Sequence, residues 1–169
     1  KNIFIHSSIF KKYNIRFIDE SIPLGTAGSL KLLQNKLHET FFVTNCDTLI
    51  NVDLHELYDF HISGGYEITL VASAIKYKIP YGTCLLDKNG DLRKISEKPS
   101  LNYLVNSGMY LLNPSSLNLI PAEDHYDITS LIEDSISNGK SVGVYPVKED
   151  DWSDIGQWAE YKKVVESFS

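Results

Sequence analysis

Phe41-Phe42-Val43-Thr44-Asn45-Cys46-Asp47 is the stretch that most constrains what this chain can fold into. An aromatic and β-branched run too short for a typical helix, cut off by polar residues, reads as a buried strand of an α/β sheet. In open α/β sheets ligands bind outside the carboxyl ends of the strands, so such a strand would deliver the Asp47 carboxylate to a binding edge. Aspartate also turns or caps a chain before a helix. On this stretch alone both readings stay open.

The flanking segments supply alternating elements. Ile15 to Asp19 alternates as a strand does, and after the break at Ser21 to Gly25 the leucines at 30, 33 and 37 give Thr26 to Leu37 a helical period. Asp53 with Glu56 three residues on predicts a capped helix, with Leu54, Leu57, Tyr58 and His61 on one face and Gly64-Gly65 as its end. Tyr66 to Ala74 reads as a strand. Cys84 to Asp87 and Leu92 to Ser96 flank an Asn89-Gly90 turn, the strongest short hairpin signal. Tyr103 to Leu112 is a longer strand, followed by a short helical piece from Ser115 to Leu119. Asp127 to Asn138 is an amphipathic helix ended by Gly139. Ser141 to Val147 is a strand and Ile155 to Val165 a last helix. Strands alternating with helices on both sides of one hairpin predict an α/β fold, a doubly wound, mostly parallel sheet with an antiparallel excursion.

Composition sets the limits around that fold. At 169 residues, 43% of them hydrophobic, the chain has the size and core of a single domain over 1–169. Cys46 and Cys84 form no CxxC pair and read as free thiols of a reducing compartment. A formal charge of -6 argues against a nucleic-acid polymer as partner. There is no apolar run of membrane-spanning length and no signal peptide, which makes the cytoplasm the expected location. The chain begins without methionine, which predicts an excised piece of a longer protein. The five histidines form no HxxxH pair and no GxSxG elbow occurs, so zinc hydrolysis and serine esterase chemistry find no support.

Several constellations carry chemistry. Pro23 to Gly28 is suited either to backbone N-H groups approaching an anionic ligand or to a plain tight turn into a helix. Glu97-Lys98 can accept sugar hydroxyls with one group and hold a phosphate with the other, or form a solvated surface pair. Asn106 and Gly108 share a strand face, an amide beside a bare backbone that fits a flat ligand, while a bulge explains Gly108 equally well. Asp154 is either a second metal carboxylate or the N-cap of the last helix.

The order of these pieces is distinctive: Pro-Leu-Gly-Thr-Ala-Gly at 23–28, Asn-Cys-Asp at 45–47, Tyr-Gly at 81–82, Glu-Lys-Pro at 97–99, Val-Asn-Ser-Gly at 105–108 and Trp-Ser-Asp-Ile-Gly at 152–156. The series resembles the sugar-1-phosphate nucleotidyltransferases, and within them the guanylyltransferase-like branch, exemplified by mannose-1-phosphate guanylyltransferases, that serves bacterial surface-sugar precursors. The resemblance implies a Rossmann-like nucleotide-diphospho-sugar transferase fold and an enzyme that joins a nucleoside triphosphate to a sugar 1-phosphate, giving an NDP-sugar and pyrophosphate. It implies Mg²⁺ held by Asp47 and Asp154, Lys98 on the sugar phosphate, Glu97, Asn106 and Gly82 on sugar hydroxyls with Gly108 beside them, and Leu24, Gly25, Thr26 and Ala27 against the nucleoside. An NDP-sugar-binding regulatory domain without catalysis is the alternative. Cys46 stands where the family has glycine, and the family's N-terminal triphosphate-binding segment does not occur, so the expectation is a fragment inactive alone. A homo-oligomer is left open.

Overall fold

The computed structural model describes residues 12–122 and 124–156, together with residues 162 and 166. Its centre is a four-stranded sheet built from β1 (Phe41–Thr44), β3 (Ile68–Lys78), β6 (Ser100–Leu112) and β7 (Val142–Lys148) in the order β1-β6-β3-β7. β6 runs antiparallel to both neighbours, and β3 pairs parallel with β7. β1, β3 and β7 therefore point one way and β6 the other, giving a mixed α/β sheet. Val71, Leu111 and Leu112 are fully buried within it.

Helices cover both faces. On one, the first helical turn α1 (Gly25–Gly28) and the helix over Ile128–Ser137 pack Ala27, Ile128 and Leu131 against Ile68, Tyr110 and Leu112. On the other, α2 (Leu54–Ser63) inserts Leu57 against Val71, Met109 and Leu111. α2 starts where the sequence places it, because the Asp53 carboxylate accepts the N-H groups of His55 (2.8 Å) and Glu56 (3.2 Å). His61 is buried but satisfied, its ring nitrogens meeting Thr69 Oγ1 at 2.8 Å and Asn113 Oδ1 at 3.2 Å. The predicted apolar face is narrower than the period suggests: Leu54 is 49% and Tyr58 41% exposed.

Other expectations are corrected. Residues 14–20 carry no regular structure, since alternation produces a strand only where a neighbour supplies ladder partners. The expected helix from Thr26 to Leu37 breaks up into α1 and a 3-10 turn over Ser29–Leu33. Asn35, at φ 68, turns the chain out of any further helical path. β3 extends to Lys78 and β6 begins at Ser100, because the two pair from end to end across one irregularity. Ile155 and Gly156 form a turn, and the rest of the expected last helix lies outside the described residues apart from the helical positions 162 and 166.

The hairpin is β4 (Thr83–Leu86) with β5 (Leu92–Ser96), antiparallel as expected. Asp87 knots its turn, accepting the N-H groups of Asn89 at 2.9 Å and Asp91 at 3.0 Å and facing the Arg93 guanidinium at 3.2 Å. The hydrogen bonds from Asp91 and then Asn89 hold its carboxyl below the ordinary 3.8. A lowered carboxyl stabilises the folded turn above the ordinary value and loses that contribution as pH falls through the lowered one. Amide chemical shifts at 87–91 should therefore move together on acidification below about pH 4, and Asp87→Asn should abolish that shared transition. Leu57→Ala should cost about 2–5 kcal/mol in denaturant unfolding, as buried leucines do. Leu54→Ala on the same helix should stay within about 0.5 kcal/mol.

Candidate active site

Pairing along β6 skips from Val71↔Met109 to Ala72↔Asn106, so Ser107 and Gly108 have no partners on β3. This bulge is the scaffold of the site. Gly108 takes φ 82, and a Cβ there would come within 2.8 Å of both Asn45 Nδ2 and Thr48 Oγ1, which is why only glycine fits. Its carbonyl accepts Asn45 N at 2.9 Å, tying the bulge to the chain leaving β1. Ser107 is buried; its hydroxyl donates to Val71 O at 2.8 Å, which holds the bulge to the strand it skipped.

The Ser107 carbonyl, released from the ladder, accepts two side-chain hydrogen bonds, from Thr48 Oγ1 and Trp152 Nε1, both at 3.0 Å. These donors belong to a separate two-stranded ribbon, β2 (Thr48–Ile50) with β8 (Trp152–Asp154), in the register Thr48↔Asp154, Leu49↔Ser153 and Ile50↔Trp152. Asn51 N to Asp151 O at 2.8 Å and Ile155 N to Asp47 O at 2.9 Å extend it at either end. The ribbon brings together the two carboxylates that the sequence holds far apart. A Cβ on Gly156 would lie 2.9 Å from Asp47 Oδ2 and 3.0 Å from Asp154 Oδ1, so the two oxygens are no farther apart than the sum of those distances. Asp154 is a strand residue whose Oδ1 accepts Gly156 N at 3.0 Å.

A pocket of about 180 Å³ opens here, lined by Asn45, Asp47 and Thr48, by Asn106 to Gly108 and Tyr110 of β6, and by Trp152 and Asp154. Asn106 is held rather than loose: its Oδ1 accepts Gly108 N at 2.9 Å, and its amide faces the Tyr110 hydroxyl, with Nδ2 at 2.8 Å. Burial raises the Tyr110 phenol above its usual value, so it stays a neutral partner.

The remaining predicted residues stand outside this pocket's lining. Gly82 sits beside Glu97, whose Oε2 a Cβ at Gly82 would approach to 3.1 Å, and both lie at the base of the hairpin with Lys98. Lys98 has φ 45, a left-handed conformation that costs a non-glycine residue about 1–2 kcal/mol. The loop of Leu24, Gly25, Thr26 and Ala27 engages the amides of Leu24, Thr26 and Ala27 within the chain. Ala27 N and Gly28 N donate to Tyr126 O at 3.0 and 2.9 Å, and Thr26 N faces Asp127 Oδ1 at 3.4 Å. This loop docks onto α3 (Ile128–Ser137), and Leu24 and Gly28 border a separate cavity of about 550 Å³ that Lys31 also lines. Thr48, Ser107, Tyr110 and Trp152 were not anticipated as site residues. A glycine inside a strand was the only local sign of the bulge that recruits them.

The family described as "Nucleotidyl transferase" matches residues 5–168. The chain belongs to the nucleotidyl transferase family. It is 35% identical over 151 residues to mannose-1-phosphate guanylyltransferase 1 of Arabidopsis thaliana, covering 84% of this chain and 41% of that protein. It is 32% identical over 160 residues to a Schizosaccharomyces pombe mannose-1-phosphate guanyltransferase, covering 89% and 44%. This nucleotidyl transferase chain thus spans less than half the length of these curated relatives. Among solved structures, HddC from Yersinia pseudotuberculosis superposes with TM-score 0.66 at 22% identity, over 95% of this chain and 72% of that one. Its complex with GMP-PN gives 0.63 at 21%, over 100% and 75%. At such identities the superposition establishes the shared fold.

Gly108→Ala should lower stability by more than the about 1–2 kcal/mol of a left-handed alanine alone, because the methyl also meets Asn45 and Thr48. Gly90→Ala, at φ 91 with open space around it, should cost only the conformational part. Denaturant melts of the two variants measure the difference.

Proposed function

We propose that the longer protein containing this chain transfers a nucleotidyl group from a nucleoside triphosphate to a sugar 1-phosphate, giving an NDP-sugar and pyrophosphate. One observation carries the reading: Asp47 and Asp154 both have an oxygen beside Gly156 and both line a pocket with the residues of the β6 bulge, in a chain of the nucleotidyl transferase family. The pocket lies just beyond the carboxyl end of β1, where open α/β sheets take their ligands.

The donor set fits Mg²⁺. One oxygen of each carboxylate, Asp47 Oδ2 and Asp154 Oδ1, lies within 3.0 Å of the place a Cβ on Gly156 would take. Mg²⁺ takes one or two protein carboxylates and fills its octahedron with waters and phosphates. Bound between Asp47 and Asp154, Mg²⁺ would neutralise charge between the two reacting phosphates.

In the transfer a sugar-phosphate oxygen attacks the α-phosphorus, the bond to the β-phosphate oxygen breaks, and pyrophosphate leaves. No side chain becomes covalently attached; this chain's residues position and stabilise charge. Asn106, held by Gly108 N and Tyr110, presents its amide to a sugar hydroxyl beside the bare backbone of Gly108. The Glu97 carboxylate at Gly82 accepts further hydroxyls, and Lys98 takes the sugar phosphate. The Leu24 to Ala27 loop faces the nucleoside through the cavity it borders.

The names of the relatives, mannose-1-phosphate guanylyl- and guanyltransferases, direct the first choice of substrates to GTP with a hexose 1-phosphate; surface-glycan precursors as the destination are our proposal from the order of motifs alone. We place the reaction in the cytoplasm. Cys46 and Cys84 are free, exposed thiols, as suits a reducing compartment.

Pyrophosphate release by the full-length protein, over a grid of nucleoside triphosphates and hexose 1-phosphates with Mg²⁺, tests this. One active pair is expected, with GTP. Asp47→Asn and Asp154→Asn should each lower its turnover by about 10²-fold or more without lowering the melting temperature. A grid with no turnover, from a folded protein that still binds an NDP-sugar, would replace the enzyme with a sensor domain.

A further inference from the structure

We infer that Trp152 and Thr48 are positioning residues for the Asp47–Asp154 carboxylate pair, acting through the Ser107 carbonyl; the inference rests on the metal-site reading above. The ribbon that carries the pair is short, three residues in each strand. A lone two-stranded ribbon is at best marginally stable in water. Its geometry must therefore be imposed from outside.

Two side-chain donors do this, and they stand on opposite strands. Thr48 follows Asp47 directly and pairs across the ribbon with Asp154, while Trp152 lies two residues before Asp154 on the same face of β8. Each places a hydrogen on one oxygen, Ser107 O, at 3.0 Å. That oxygen is fixed in turn, because the Ser107 hydroxyl bonds Val71 O at 2.8 Å in the fully buried middle of β3. A continuous path thus runs from the sheet through Val71, Ser107, Thr48 and Trp152 to the two carboxylates.

The energetic logic is that of an outer shell. A cation needs both carboxylate oxygens at one spacing, and loss of groups that orient metal ligands costs about 10–100-fold in affinity. Trp152→Phe keeps an aromatic ring and removes the N-H together with the five-membered ring that carries it. Thr48→Val keeps the shape and removes only the hydroxyl, and Thr48→Ser restores the donor.

The test is Mn²⁺ binding to the full-length protein, by titration calorimetry and by the loss of free-ion EPR signal, beside thermal melts. Trp152→Phe and Thr48→Val should each weaken Mn²⁺ binding by about tenfold. Thr48→Ser should return it to the parent value. The concentration of metal giving half-maximal turnover should rise by the same factor, with kcat at saturating metal little changed, which a general loss of stability would not produce. If Trp152→Phe and Thr48→Val bind Mn²⁺ as the parent does while Asp47→Asn does not, the positioning role is overturned and the metal site stands. If Asp47→Asn and Asp154→Asn also bind as the parent does, the metal-site reading falls and the inference with it. Should Trp152→Phe not fold, the Thr48→Val and Thr48→Ser pair decides alone.

Discussion

A single main-chain oxygen sets the shape of this site. In a regular antiparallel ladder the Ser107 carbonyl would have a main-chain partner on a neighbouring strand; the bulge leaves its lone pairs to be satisfied otherwise. Thr48 and Trp152 satisfy them, and in doing so they fasten a ribbon outside the sheet to the sheet itself. The glycine at 108 belongs to the same constraint, since the backbone must turn through φ 82 with Asn45 and Thr48 pressed against it. Bulge, glycine, ribbon and carboxylates form one construction, and none of them has the same meaning without the others.

What could be read from sequence was what is decided locally. Asp53 caps α2 because its own carboxylate reaches the N-H groups two and three residues on, and Asn89-Gly90 turns the hairpin through its own backbone freedom. Phe41 to Thr44 is a strand because the run is apolar and brief, but it stands at the edge of its sheet, half-exposed rather than buried as expected, with Phe42 at 40%. Residues 15–19 show the reverse case, an alternating segment with no ladder, because pairing is a property of two segments and periodicity of one.

The site divides along the same line. Asp47 and Asp154 were singled out through the order of motifs; the ribbon sets Asp154 opposite Thr48, the residue after Asp47, and an oxygen of each carboxylate lies beside Gly156. Thr48, Ser107, Tyr110 and Trp152 were not, because their roles exist only once β6 has slipped by two residues against β3 and β8 has folded back on β2. The amides of Ala27 and Gly28 illustrate a further limit: a glycine-bearing loop before a helix looks open to a ligand in sequence, but here both are taken by the Tyr126 carbonyl. Whether an N-H is available depends on what the rest of the chain brings to it.

The acceptor at Ser107 is peptide rather than side chain, and this makes the clamp unequal in heredity. Substitution at position 107 can delete the bond to Val71 but never the oxygen that Thr48 and Trp152 share. Substitution can delete either hydrogen bond to that oxygen only at its donor, and the donors lie about a hundred residues apart in the gene yet answer to one atom. Change at either donor alters the conditions under which the other is retained, so the two positions should be inherited as a pair.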